Sequence, residues 1–127
     1  MKRLFLFSSL ILFSLTVFCQ KNYSPLIELE IPGLEEGNSM TKEEFMDIDT
    51  LYTNKEEVIV QSYTLTTIDT ADFLHDIHVE GNKFTKEALQ WIKKRVIPGH
   101  KLSIEDLIVQ KEGEEVLIKP KVIDIEK

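Results

Sequence analysis

The side chains best suited to chemistry sit in one short run, His75-Asp76-Ile77-His78, with Asp72 just ahead of it and His100 further along. Two histidines and a carboxylate are the side chains that hold zinc. Spacing decides whether they can act together. Three residues apart on a helix, His75 and His78 would share a face; on a strand, an odd spacing sends them to opposite faces. The run reads as strand, so solvated or cross-strand-paired histidines are the expectation, and Asp72 and Asp76 would help only if the segment were a loop. His100 follows Gly99 with no nucleophile signature beside it. The carboxylate pairs Glu43-Glu44 and Glu114-Glu115 stand near lysines in turn-like stretches and read as solubilising surface. Nucleophile-elbow, phosphate-loop and metalloprotease-helix patterns are all missing. No catalytic, cofactor-binding or metal-ligating residue is assigned, and the chain is read as a non-enzyme without a cofactor.

The elements that must position these residues are organised around Phe84–Ile104. Thr85 is an N-cap, Glu87 places negative charge in the first turn, and Ala88, Leu89, Ile92 and Val96 form an apolar stripe flanked by Trp91. Lys93, Lys94 and Arg95 fill the last turn, and Pro98-Gly99 stops the element, giving a helix over 85–96. Ahead of it, Val58–Ile68 is a long strand of alternating β-branched and aromatic residues. Asp69-Thr70-Ala71-Asp72 is a turn, and Phe73–Val79 is a second strand with Phe73, Ile77 and Val79 on one side. Beyond the helix, Lys101–Gln110 and Glu115–Ile125 form a hairpin, with an edge, bulge or break expected at Pro120. Leu26–Ile31 is a short strand, Pro32–Ser39 a loop, and Thr41 with Glu44 resembles a capping box opening a helical turn. The sum is a mainly β chain: an antiparallel Ig-like β-sandwich with one crossover helix, or else a sheet covered by that helix.

The first twenty residues speak of export. Lys2 and Arg3 precede an apolar run from Leu4 to Phe18, about 15 residues long and short for a membrane span. Residues 1–19 are read as a signal peptide cleaved before Gln20, 20–40 as a leader with a short strand, and 41–127 as the domain. Cleavage removes two basic residues and no acid, taking the formal charge from −7 to −9. Cys19, the only cysteine, is then lost; the alternative keeps it as a lipid anchor, although Phe18 stands where a small residue is usual. Periplasmic or secreted localisation follows, or an outer-membrane lipoprotein if Cys19 is acylated. The acidity argues against nucleic acid and anionic lipid as partners.

Particular residues also carry a resemblance. Tyr63-Thr64-Leu65, Gly81-Asn82-Lys83-Phe84-Thr85 with its helix, Ile97–Leu107 and Leu117-Ile118-Lys119-Pro120 resemble the C-terminal periplasmic domains of GldM, from the gliding-motility and type IX secretion machinery of Bacteroidetes. The likeness spans about residues 58–127. It implies a β-sandwich module that binds envelope proteins or serves a structural role in the periplasm, and carries over no binding residue. Family members have a membrane helix and several periplasmic domains, whereas this chain reads as one domain behind a short signal, so a free-standing exported domain similar to the tip of GldM is the expectation here. An edge for a partner is expected on Val58–Ile68 or on the Pro120-broken last strand. Asp49-Thr50-Leu51 and Asp69-Thr70-Ala71 likewise resemble short O-glycosylation sequons of exported proteins of that group, at Thr50 and Thr70. The other functional class is a periplasmic small-ligand or metal-binding protein using the His75/His78 region. Equilibrium dialysis against zinc separates the two classes: no stoichiometric binding is expected, and a tight one-to-one site would overturn the strand reading of residues 73–79.

Overall fold

Two strands with nearly equal apolar content form the centre of the molecule. In the computed structural model, which describes residues 23–34 and 38–127, β4 (Ile59–Ile68) lies antiparallel to β6 (Lys101–Lys111). The buried residues of these strands do not follow one alternation. Val60 and Leu65 both point into the core, as do Ile104 and Val109, although each pair is separated by an odd number of positions. Strict pleating would put the members of each pair on opposite faces. Two bulges resolve this. On β4, Gln61 is inserted between Val60 and Ser62, whose partners Val109 and Ile108 are consecutive. On β6, Asp106 and Leu107 lie opposite the single Tyr63, with Asp106 at φ 48°. Each strand thus carries one extra residue, and beyond the second bulge the original register is regained. The unbroken alternation read for Val58–Ile68 is corrected accordingly: Val58 and Val60 face the core on one side of the bulge, and Tyr63, Leu65 and Thr67 on the other.

The other strands extend this pair. β5 (Leu74–Glu80) runs along the far side of β4 in one uninterrupted antiparallel register. The last segment divides into β7 (Glu114–Ile118), paired with Leu107–Lys111, and β8 (Lys121–Ile125), paired with Lys101–Ile104. Lys119 and Pro120 fall between them, level with the β6 bulge, where a residue without an N–H has no ladder bond to miss. β2 (Ser39–Met40) adds to β8 in parallel, completing six strands in the order β2-β8-β6-β4-β5 with β7 beside β6. A second sheet pairs β1 (Leu29–Glu30) with β3 (Tyr52–Thr53). The chain is therefore mainly β, with two helices among the described residues. The candidate strand 26–31 contracts to two residues, but Ile27, Leu29 and Ile31 all turn inward and Met40 is buried, so the segment read as leader joins the same core.

Helix α2 (Lys86–Arg95) fulfils the sequence reading. Thr85 accepts from the Ala88 N–H, and Ala88, Ile92 and Val96 are buried, with Leu89 and Trp91 at the margin. β5 and β6 are both antiparallel to β4 and so parallel to each other; α2 joins them across β4 as a split β-α-β unit. Short helix α1 (Lys42–Met46) begins with the capping box of Thr41 and Glu44. Its Lys42 Nζ donates to the carbonyls of Lys93 (2.8 Å) and Val96 (2.9 Å), satisfying acceptors at the C-terminal end of α2. Glu44, grouped above with surface carboxylates, is thus a structural cap. Helix stop and final strand are tied together, because Gly99, at φ 92°, donates its N–H to the Ile125 carbonyl.

Phe84, the residue before α2's cap, holds the layers together. Its ring lies 5.2 Å from that of Phe45 in α1 and 6.3 Å from that of Tyr63 in β4. The Tyr63 hydroxyl donates to the Lys83 carbonyl, and the Phe84 N–H donates to the Asp49 carbonyl. Burial pushes the Tyr63 phenol far above its ordinary pKa, so it remains a donor throughout the physiological range. Truncation of Phe84 leaves a void among three elements. Urea unfolding of Phe84→Ala is expected to show a loss of about 3 kcal/mol or more, whereas Leu26→Ala, at a 70 % exposed position, is expected to stay within about 0.5 kcal/mol of the parent.

Candidate functional site

The residues singled out for chemistry converge on β5 and its flanking turn, but not on one point. His75 and His78 go to opposite faces of the strand, because successive residues of β5 alternate. His75 shares its side with Ile77 and Val79, while His78 lies on the outer face with Leu74, Asp76 and Glu80. Phe73 does not join the inward set assigned to it: it precedes the strand and is 67 % exposed. Asp72 is exposed in the turn at φ 63°, and Asp76 is exposed on the outer face. Among the described residues, no three His, Cys, Asp or Glu side chains are grouped as metal ligands would be.

Asp69 organises the β4–β5 turn. Its Oδ1 accepts from the Ala71 N–H (2.9 Å) and the Phe73 N–H (3.0 Å), and its Oδ2 accepts from His75 Nε2 (2.8 Å). The bond from His75, followed by those from the Phe73 and Ala71 amides, holds the Asp69 carboxyl below the usual carboxylate range. Thr70, at the tip of this turn, is exposed. Thr50 is not: it is 8 % exposed, forms an isolated bridge with Lys83 and directs its hydroxyl to Asp49. The exposed-loop setting expected for both threonines holds for Thr70 alone. Cys19 and the signal segment 1–19 lie outside the described residues, as does Gly37.

The outer face of the sheet carries a polar ladder. His78 Nε2 lies 2.7 Å from Glu80 Oε1, its Nδ1 lies 3.2 Å from Thr64 Oγ1, and Thr66 donates to Glu105. At the turn end this face opens into a groove of about 610 Å³ bordered by Thr66, Ile68, Leu74, His100, Ser103 and Val122. Ile68, Leu74 and Val122 are exposed apolar side chains on its rim. His100 is fixed there, with Nδ1 donating to the Ile68 carbonyl at 3.0 Å, a role that ties the start of β6 to the end of β4.

Strand order supplies the feature that sequence reading missed. β4 is flanked by β6 and, over Ser62–Ile68, by β5, so the edge expected on Val58–Ile68 is closed over that length; β8 is flanked by β6 and, at Asp124 and Ile125, by β2. In the broken last strand, β7 borders the sheet, and there Leu117 already accepts from the Ser24 N–H. The long free edge is β5. The Asp69 N–H donates to the Phe73 carbonyl, and the Gly81 N–H to the Gln61 carbonyl, one pair at each end of the β4–β5 ladder. By antiparallel alternation, His75, Ile77 and Val79 then bond to β4, and the N–H and C=O groups of Leu74, Asp76, His78 and Glu80 point away from the sheet. Among the described residues, no strand covers that side. No helix of the described residues is long and apolar enough to cross a membrane. No known protein-family model matches the chain, and no curated protein is similar to it.

The depressed Asp69 pKa fixes the sign of a pH effect. A carboxylate whose folded pKa lies below its unfolded value stabilises the fold above the unfolded pKa, about 3.9, and that contribution is lost as pH falls through the folded pKa. Asp69→Asn is expected to reduce stability at pH 7 and to differ less from the parent as pH is lowered below about 4, measured by thermal unfolding across pH 2–7; a constant difference over that range would contradict the assignment.

Proposed function

We propose that this chain is an exported module of the cell envelope that binds protein partners or serves a structural role without catalysis, similar to the C-terminal periplasmic domain of GldM over about residues 58–127. The single observation that supports it best is the open edge of β5, a seven-residue strand whose outward main-chain groups have no strand beside them. Such an edge adds a strand from a partner through main-chain hydrogen bonds, with side-chain pockets setting specificity. The apolar rim of Ile68, Leu74 and Val122 lies next to it and gives a docked strand something to cover. The finer fold assignment, an Ig-like antiparallel β-sandwich, belongs to the same reading, with β1–β3 in the second layer. The parallel β2–β8 pair and the helical β5-to-β6 crossover are departures from an Ig pattern.

The reading places the protein in the periplasm or outside the cell, with residues 1–19 as the export signal, or on the outer membrane if Cys19 carries lipid. Envelope proteins are the partners it implies, and the formal charge of −7 gives nucleic acid no basic footprint. A small-ligand protein is the second reading, favoured by the groove beside His100 rather than by His75 and His78, which point apart.

A substitution on the edge tests the first reading. Asp76 directs its N–H away from β4, so Asp76→Pro leaves the internal ladder intact and blocks strand docking. Affinity capture from native envelope extract is expected to recover an envelope protein near stoichiometry with the parent protein and to lose it with Asp76→Pro. Equal recovery by both would place the partner elsewhere; background alone from a folded parent would shift weight to the groove.

A further inference from the structure

We propose that the β5 edge pairs with β5 of a second copy of this chain, antiparallel and about a twofold axis at Ile77. This rests on the reading of β5 as a docking edge and names the strand that docks.

The backbone restricts the choice of register. Leu74, Asp76, His78 and Glu80 present their N–H and C=O groups outward, so an antiparallel partner of the same sequence must set even-numbered residues opposite even-numbered ones. Three central registers satisfy that. One sets Asp76 opposite Asp76 of the second copy. Another sets Asp76 opposite Glu80. Both oppose like charges directly across the interface, which is destabilising. The third sets Asp76 opposite His78 and His78 opposite Asp76, with Leu74 opposite Glu80 at each end and Ile77 facing itself on the axis. Every outward group of the four residues is then paired, in about eight main-chain hydrogen bonds. Of the three, this register alone sets no carboxylate of the strand Leu74-His75-Asp76-Ile77-His78-Val79-Glu80 directly opposite another.

The rest of the edge is consistent with this. β5 contains no Lys, no Pro and no bulge, three of the devices that keep an edge from pairing. Its register with β4 is uniform over its whole length, in contrast to the doubly bulged β4–β6 pair. Ile77 is only partly buried on the inner face, and the same residue of the second copy would cover the remainder. His78 contacts Glu80 and Thr64 of its own chain and is half exposed, with a side-chain exposure of 53 %, so Asp76 of the second copy would meet it on the open outer face.

Sedimentation equilibrium of the protein recovered after export tests the proposal. The mass is expected to rise with concentration from monomer to dimer. H78D places a carboxylate opposite Asp76 of the second copy twice per dimer and is expected to weaken association about tenfold or more, while the charge swap D76H/H78D is expected to restore it. As an independent check on register, Ile77→Cys sets one thiol against its symmetry mate at a Cα separation of about 4.5 Å, within disulfide range, and is expected to give a covalent dimer under mild oxidation where the parent gives none. A monomer at all concentrations up to about 1 mM overturns the proposal, as does a dimer that H78D leaves unchanged or that the swap does not rescue. Capture of an envelope protein by a strictly monomeric chain would sink the second-copy proposal and leave the docking-edge reading standing; a dimer that captures nothing would do the reverse for foreign partners.

Discussion

The rest of the structure depends on two bulges that compensate each other. β4 and β6 supply Val60, Tyr63, Leu65, Leu102, Ile104, Leu107 and Val109 to one core, although no single pleat could aim all of them the same way. One extra residue on each strand flips the alternation on both sides of the pair together, so the register is recovered and both halves keep their apolar side inward. Pro120 falls at the same level in the neighbouring strands, and the irregularity crosses the sheet as one line instead of three unrelated faults.

What the bulges allow, Phe84 secures. The segment from Asn82 to Thr85 links the end of β5 to the start of α2, and within it Phe84 reaches both Phe45 and Tyr63 while its amide bonds to Asp49. This is how a helix crossing over β4 acquires a fixed position. Lys42 adds a second tie from α1 to the far end of the same helix. A rigid frame of this kind bears directly on the edge: β5 is held through β4 on one side and packed beneath by α2, so its outward groups keep one spacing. A strand docking there would meet a preorganised template, which reduces the ordering that binding must otherwise impose.

Local chemistry was legible wherever neighbouring residues decide it. Thr85, the Ala88–Val96 stripe and Pro98-Gly99 announce α2 because capping and helical periodicity act within a few residues. Thr41 with Glu44 announces α1 for the same reason, and the odd spacing of His75 and His78 separates them once β5 is a strand. The alternation of Val58–Ile68 breaks at Gln61 without a local signal, because a bulge is set by the partner strand and leaves little mark on the strand that carries it. Thr50 looked like an open loop position, yet its bridge to Lys83 comes from a residue more than thirty positions away.

The sequence by itself determined the β-rich class, helix α2 with its limits, the β4–β5 turn and the break at Pro120. These follow from propensity, capping and the loss of an N–H, all of which operate within a few bonds. Only the tertiary structure decided the strand order, and with it which strand is left uncovered. Val58–Ile68 is the most strand-like stretch in the chain and for that reason it is taken into the middle of the sheet, where Ser62–Thr67 is paired on both sides. β5, with its histidines and acids, can tolerate water at one side and is left at the border. Strand order is fixed by which long-range pairings bury the most apolar surface together, a global comparison that no local pattern encodes.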